Sequence, residues 1–551
     1  MKKISRTAKI ILCILIIAAM TTGCAGQKAP AGSDNSAVAD TSKEVKSTPT
    51  PAAASSPKYG GTLVVSQSGQ QYESNYYPPT ATNSAIMQNS RPCLEPLFEM
   101  ASDGTLIPFL VKDYKVEENG KKYTFHLQEN VKFHDGTEFN AEAVKWNMEQ
   151  TKQENITTVF SKVDSFEVVD NYTIIINMSE PDLLFLNTLA TSQASLMVSP
   201  AAVEKNGKTW AETNPVGTGP FKLERWEYNV EMVYVRNDDY WRTDENGNKL
   251  PYLDGITFKF ITEDVTVTNA FKKGEIDMIR GLSSAMIQEL QNDYPVIVYD
   301  YPAYAFNLWF SSGVEGSIYQ DRRIRQAVCY ALDRSAIVNS MHGAEFSPTN
   351  QLSYQGSRLW NDKIEGYPYN PEKARQLLAE AGYPNGFETS IIIENSTQNS
   401  MLCQAIQAYL AQVGIKVNID LADSARYAEN VIFNSWGDGL AVIAYTYTPD
   451  ELCSIRRMLH PKTSIFAHSI DYPQQYHDLM DDMLSQPTMD DMINVFNDIN
   501  KYLIDDQCLL CPIWVNSYAI AQNDYVHGTG SGFDGETQIR YWSPETIWMD
   551  K

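Results

Sequence analysis

The chain has 551 residues, of which 43% are hydrophobic, 11% aromatic and 20% charged. That is enough apolar surface for several packed domains, and it excludes a disordered or collagen-like chain. The 68 acidic residues outnumber the 44 basic ones and give a formal net charge of −24, a sign that excludes nucleic acid as a partner of the chain as a whole.

Lys2, Lys3, Arg6 and Lys9 form a positive head, and Ile10 to Met20 follows as an apolar run. The run falls short of the about 20 residues a bilayer span needs and has the size of a signal-peptide core. A signal peptide is expected over 1–23. It ends in Thr21-Thr22-Gly23-Cys24, which resembles the lipobox of bacterial lipoproteins, with Thr21 where Leu is usual. Cys24 is the expected lipidation site. Residues 24–57, rich in Ala, Ser, Thr, Pro and Gly, cannot bury enough surface to offset their ordering entropy and read as a flexible tether.

Folded sequence starts near Tyr59, with a strand at Thr62–Val65. Tyr123, Phe125 and Leu127 alternate with Thr124 and His126 as a strand, and Val131 and Phe133 continue the pattern. Asp135-Gly136 is a turn signal, after which Asn140 caps a helix bearing Val144 and Met148 on one side. Residues 163–169 and 172–178 flank Asp170-Asn171 as a hairpin. Downstream, Asp321 precedes Ile324, Ala327, Val328, Ala331 and Leu332, an amphipathic helix that leaves Arg322, Arg323 and Arg325 on its polar side. Asn370-Pro371-Glu372 opens a helix that Gly382 closes. Ile391–Ile393, a helix from Leu402 to Val413, and alternating Ile415, Val417, Ile419 and Leu421 form a strand–helix–strand unit, normally parallel and right-handed. The fold class is mixed α/β, without a 20–50-residue repeat.

Eight cysteines occur, six of them in the expected folded body: Cys93, Cys329, Cys403, Cys453, Cys508 and Cys511. Cys508-Leu-Leu-Cys511 has redox or metal spacing. Its apolar neighbours predict a buried strand, where an offset of three sends the two thiols to opposite faces, so it reads as structural. The seven histidines form no close His-x-His or His-x₃-His pair, and no metal is expected. Neither a nucleophile elbow nor an HExxH motif supports an extracellular hydrolase, the reading from another function class.

Four stretches in order, Tyr123–Lys145 (YTFHLQENVKFHDGTEFNAEAVK), Asn214–Leu223 (NPVGTGPFKL), Asp321–Arg334 (DRRIRQAVCYALDR) and Tyr369–Tyr383 (YNPEKARQLLAEAGY), resemble the family 5 solute-binding proteins of ABC importers, which take dipeptides, oligopeptides or nickel. Gly217-Thr218-Gly219-Pro220 mimics a phosphate loop but lacks the following Lys-Ser/Thr and reads as a structural turn. The resemblance implies a two-lobed clamshell of the periplasmic-binding type (type II, cluster C) with an extra inserted small domain. Lobe I is expected from 58–100, 215–305 and 509–551, the inserted subdomain from 101–214 and lobe II from 306–508. It also implies a non-catalytic, cofactor-free, monomeric receptor. That receptor would be lipid-anchored on the outer face of the cell membrane and would pass a peptide or other small-molecule solute to ABC permease subunits.

Peptide binders of this family carry a Trp and then an Asp that pairs with the peptide amine. The matching region runs from Trp436 to Asp450. Tyr445 stands where the Trp is expected, Thr446 and Tyr447 where the Asp is expected, and Asp450 comes late. The amine anchor is absent or relocated, and an oligosaccharide is the alternative ligand. Expected ligand-binding residues are Gln70, Trp436, Tyr445, Tyr447, Asp450 and Trp514. The aromatic ones offer stacking faces, and Gln70, beyond the first strand, offers an amide.

Overall fold

Local signals set many of the elements. Asn140 Oδ1 accepts from the Ala143 N–H at 3.0 Å and starts helix Ala141–Glu154. Asp321 caps Arg322–Tyr330, and Asn370, with Pro371 at the first turn, caps Pro371–Glu380. Strands Val163–Asp170 and Thr173–Met178 form the expected hairpin, with Asp170 opposite Thr173. Phe387–Glu394 and Ile415–Ala422 pair in parallel across helix Thr397–Ala411. The computed structural model describes residues 56–551, apart from 69–74, 82–85, 102–103, 342, 344, 448–449, 461–466 and 530–541. The leader, Cys24, nearly all of the tether and Gln70 lie outside the described residues.

An 11-stranded mixed sheet runs through the molecule. Its strand order is Ile415–Ala422, Phe387–Glu394, Leu440–Thr446, Val296–Phe310, Leu510–Gln522, Met278–Arg280, Thr62–Ser68, Gly255–Ile261, Glu231–Arg236 and Phe221–Glu227, with Phe346–Pro348 added beside Leu510–Gln522. Two of these strands are long. Val296–Phe310 pairs with Ala519–Ala521 at its start and with Leu510–Asn516 at its end. Between these stretches the register slips at Val298/Pro302 and again at Pro302/Tyr304. Pro302 has no N–H to give the ladder, and such residues are confined to breaks and bulges in sheets.

The apolar cores fall on either side of this slip. Leu63, Val65, Phe258, Met278 and Ile520 are among the residues of one core, and Val267, Phe271, Ile287 and Ala519 line an adjoining one. Leu308, Val328, Leu378, Ile391, Ile406, Ile443, Phe496 and Ile513 belong to the other side. A separate four-stranded antiparallel sheet, ordered Val111–Glu117, Lys122–Leu127, Thr173–Met178, Val163–Asp170, packs on helix Ala141–Glu154 through Phe125, Val144, Met148, Ile174 and Ile176. This is a mixed α/β, two-lobed arrangement.

Three details refine the sequence-based expectations. Val131 and Phe133 are buried, but only an isolated Lys132–Glu138 bridge forms there, because the Asp135-Gly136 turn folds the segment back. Gly217-Thr218-Gly219 is a structural turn: a Cβ on Gly217 would stand 2.1 Å from the Cys93 carbonyl oxygen. Arg325 is not on a solvated face. It is 4% exposed and donates to the carbonyls of Cys508, Tyr319, Gln320 and Gln507, closing chain ends that its own helix cannot satisfy.

Candidate functional site

The strand slip fixes where the two halves meet. Strand Leu440–Thr446 pairs with Val296–Phe310 so that Thr446 faces Tyr304, beside the slip, and Leu440 faces Phe310, remote from it. Side chains two apart share a face of a strand, so Tyr445 and Tyr447 emerge together. Asn307 joins them through the Ala305–Tyr445 and Asn307–Ile443 register. The Tyr445 and Tyr447 ring centroids are 5.6 Å apart, and Tyr354 meets Tyr447 edge-on at 5.9 Å. The Tyr447 hydroxyl donates to the Leu352 carbonyl at 2.5 Å. Burial raises the Tyr445 and Tyr447 pKa values above the usual phenol range.

Asp450 is fully buried. Its Oδ1 accepts from Arg358 Nη2 at 2.8 Å and from the Leu452 N–H at 3.1 Å, capping helix Glu451–Leu459. Its Oδ2 accepts from the Asn187 amide. Both oxygens are therefore engaged within the protein. Next to it, Glu451 Oε2 accepts from the Ser357 hydroxyl, while Oε1 is buried without a hydrogen-bond partner. Burial outweighs Ser357 and Arg358 and pushes the Glu451 carboxyl up to about 8.

Trp514 lies opposite Phe306, one residue out of phase with Ala305, and so occupies the other face of the sheet from Tyr445. Its ring packs 5.4 Å from Phe306 and 5.2 Å from Phe346, and its Nε1 has no partner. Trp436 is not brought to the group. It precedes the Leu440 end of its strand, where its N–H donates to Ser469 Oγ at 3.2 Å. Six residues at about 3.3 Å each separate Leu440 from Thr446.

Two carboxylic acids at this place carry no sequence motif. Besides Glu451 there is Glu345, 5% exposed. Its Oε1 accepts from the Ser284 hydroxyl of the opposite half, its carbonyl accepts from the Ser517 N–H at 2.7 Å, and its Oε2 has no partner. Asn307 Nδ2, Asn516 Oδ1 and the Tyr445 hydroxyl are likewise buried and lack a hydrogen bond of good geometry. Such atoms are uncommon in folded proteins, and each costs roughly 1–3 kcal/mol when left unmet. Asn307 and Tyr445 share one face of the sheet beside the slip, and Asn516, two residues from Trp514, lies on the other. Among the described residues no group of three His, Cys, Asp or Glu could hold a metal ion.

The halves also touch away from the slip. Arg456 Nη1 meets Asp182 Oδ1 at 2.9 Å and Oδ2 at 2.8 Å, and Nη2 donates to the Thr188 hydroxyl. Leu184, from the same segment as Asp182, enters the core formed by 305–515.

Residues 105–449 match the model of the bacterial extracellular solute-binding proteins, family 5 Middle. The glutathione-binding protein GsiB of Pectobacterium atrosepticum is 30% identical over 359 residues, 64% of this chain and 68% of that protein. GsiB of Escherichia coli (strain K12) is 31% identical over 343 residues, 61% of this chain and 65% of that protein. Among solved structures, the periplasmic binding protein DppA of Helicobacter pylori superposes with TM-score 0.74 at 21% identity, covering 90% of this chain and 99% of its own. The substrate-binding protein CtaP of Listeria monocytogenes gives 0.76 at 19%, covering 90% and 100%. The chain belongs to the family 5 bacterial extracellular solute-binding proteins.

Proposed function

We propose that the protein is the extracytoplasmic receptor of an ABC importer and captures peptides or peptide-like solutes between its two lobes. The observation that carries this reading is the pair of buried carboxyl oxygens without hydrogen-bond partners, Glu345 Oε2 and Glu451 Oε1, together with the buried Asn307 amide and Tyr445 hydroxyl near the strand slip. A polar solute with its own donors and acceptors is what such a set accommodates. Glu345 and Glu451 each offer one open carboxyl oxygen, one or both of which take the part of the amine anchor that Asp450 does not play. The glutathione-binding and peptide-binding relatives make short peptides, γ-glutamyl peptides included, the first ligands to test.

In this reading, 58–100, 215–305 and 509–551 form lobe I, 101–214 its inserted subdomain and 306–508 lobe II. The separation of the apolar cores on either side of the register slip supports two lobes, but Leu509–Val515 pack with the 306–508 core and Leu196, Val198, Val203 and Ala211 pack with the core of Leu63 and Phe258, away from the segments assigned above. The chain acts as a monomer held to the outer face of the membrane by a lipid on Cys24, with 1–23 removed and 24–57 as tether. It hands its solute to the permease without chemical change. Ligand binding shifts the molecule toward the closed form by its preferential affinity for that form.

Titration calorimetry of the purified protein against a short-peptide panel, glutathione and a set of oligosaccharides tests this. Saturable heat from a peptide, with ligand recovered intact, is the expected result. Saturable heat from oligosaccharides alone, or turnover of the bound ligand, overturns it.

A further inference from the structure

Cys508 and Cys511, expected on opposite faces of a strand, are brought together with Cys329. Strand Leu510–Gln522 begins after Cys508, which sits in a turn with φ 51°, so the offset of three in the Cys508-x-x-Cys511 motif does not separate the thiols across a strand. Cys508 Sγ lies 3.4 Å from Cys329 Sγ, and Cys511 stands near enough to the same thiol to act on its titration. All three side chains are fully buried. Residue 329 is in helix Arg322–Tyr330, so the cluster joins that helix to the strand that passes through both halves.

The surroundings are electropositive. Arg334, 8% exposed, donates to the Pro512 carbonyl at 2.6 Å and the Tyr367 carbonyl at 2.8 Å, and its Nη2 donates to Cys511 Sγ at 3.1 Å. No carboxylate pairs with it among the described residues. Arg325, on the other flank, binds only carbonyls. Two buried guanidiniums without carboxylate partners require a counter-charge nearby, and the one anion-forming group in contact with Arg334 is the Cys511 sulfur. Burial alone raises a thiol pKa, but Cys329 and Arg334 more than reverse this at Cys511 and bring it to about 7. Cys329 is pushed well up by burial. A low-pKa thiolate beside a protonated thiol has the charge pattern of a reactive cysteine and its resolving partner, and because these thiols are buried an oxidant meets them only on local opening.

We propose that Cys511 and Cys329 form a peroxide-reactive pair that closes to a disulfide between helix Arg322–Tyr330 and strand Leu510–Gln522. The oxidant is a hydroperoxide, small enough to enter a buried site during local opening. The Cys511 thiolate attacks one peroxide oxygen. The S–O bond forms, the O–O bond breaks, and the leaving hydroxide takes a proton to become water (or an alcohol from an organic peroxide). The sulfur has then lost two electrons and is a sulfenic acid. The Cys329 sulfur attacks it, forming S–S as S–O breaks, and the leaving hydroxide takes the Cys329 proton as water. In sum, two thiols and one peroxide give a disulfide and two waters, or one water and one alcohol. A protein dithiol or low-molecular-weight thiol reverses the step by exchange.

Purified full-length protein treated with hydrogen peroxide, alkylated under denaturing conditions and mapped without reduction gives the test. A Cys329 peptide joined to the Cys511 peptide, two hydrogens lighter than the pair, is expected within the wild-type protein and within C508S. C511S is expected to lose the cross-link and leave Cys329 alkylatable. Wild-type protein whose Cys329 and Cys511 both stay alkylatable after peroxide overturns the proposal, without reliance on any variant. So does a Cys329–Cys508 link that forms in C511S as fast as the wild-type link.

Discussion

Replacing Arg456 by alanine removes a contact between the two halves. One guanidinium nitrogen lies within 2.9 Å of both Asp182 oxygens, and the side chains retain 20% and 13% of their exposure. A fully exposed pair contributes about 0–1 kcal/mol, and breaking a fully buried one costs about 3–5 kcal/mol. This half-buried pair, discounted for solvent screening, is worth about 1–2 kcal/mol to the closed arrangement. By the factor of ten per 1.4 kcal/mol, the open-to-closed ratio rises roughly 5- to 30-fold. Apparent ligand affinity falls by up to the same factor, since ligand must first recover the lost closed population. Calorimetry gives the affinity, and solution scattering without ligand gives the radius of gyration, which is expected to increase. An unchanged affinity and radius, with only the unfolding midpoint lowered, would refute the reasoning and leave the pair as a local stabiliser.

Glu345→Gln removes the charge that the open Oε2 offers to an ammonium. Loss of a charge-assisted hydrogen bond of about 1.5–3 kcal/mol weakens an amine-bearing peptide roughly 10- to 150-fold by calorimetry, and equal affinity would assign the amine elsewhere. Glu451 holds its proton to about pH 8 in the folded chain and releases it near pH 4.3 when unfolded. Between pH 7 and 8 the native state thus binds more protons, and stability falls as pH rises, by up to about 1.4 kcal/mol per unit. Burial lowers His134 to about 4, so only its unfolded form, near about 6.5, binds a little proton at pH 7, and Cys511, at about 7 when folded against about 8.5 when unfolded, gives a second opposing slope. Chemical denaturation across this window is expected to show the stability difference between wild type and E451Q changing by up to about 1.4 kcal/mol per pH unit, the Cys511 and His134 contributions being common to both. Gly217→Ala drives a Cβ to 2.1 Å from a backbone oxygen, and about 3 kcal/mol or more of stability is lost by the same measurement.

What was legible in the sequence is what local chemistry decides. Asn140, Asp321 and Asn370 each cap a helix through an N–H two or three residues on, and their neighbours in sequence suffice to place them. The parallel unit at 387–422 follows from period alone. Arg325 and the Cys508–Cys511 pair escaped the same reasoning because their partners lie far along the chain. Arg325 is held by carbonyls at 507 and 508, and Cys508 meets Cys329 across 179 positions. Proximity in sequence groups Trp436 with Tyr445, but an extended strand carries near neighbours far apart. Glu345 and Glu451 belong to no motif. Their distinction is an unmatched oxygen, a property of the assembled surroundings that no spacing of letters encodes.

Pro302 and the register slips beside it leave the two long strands loosely stitched between two laddered stretches, the second of which carries one further irregularity at Phe306/Asn307. Compliance is thereby concentrated in a few peptide units and held at two side-by-side points, like a lid on paired pins. Such a mounting favours swing about one axis and resists twisting and sliding. Cargo of different lengths would then be met by the same approach of the same walls, with a different final angle as the only adjustment.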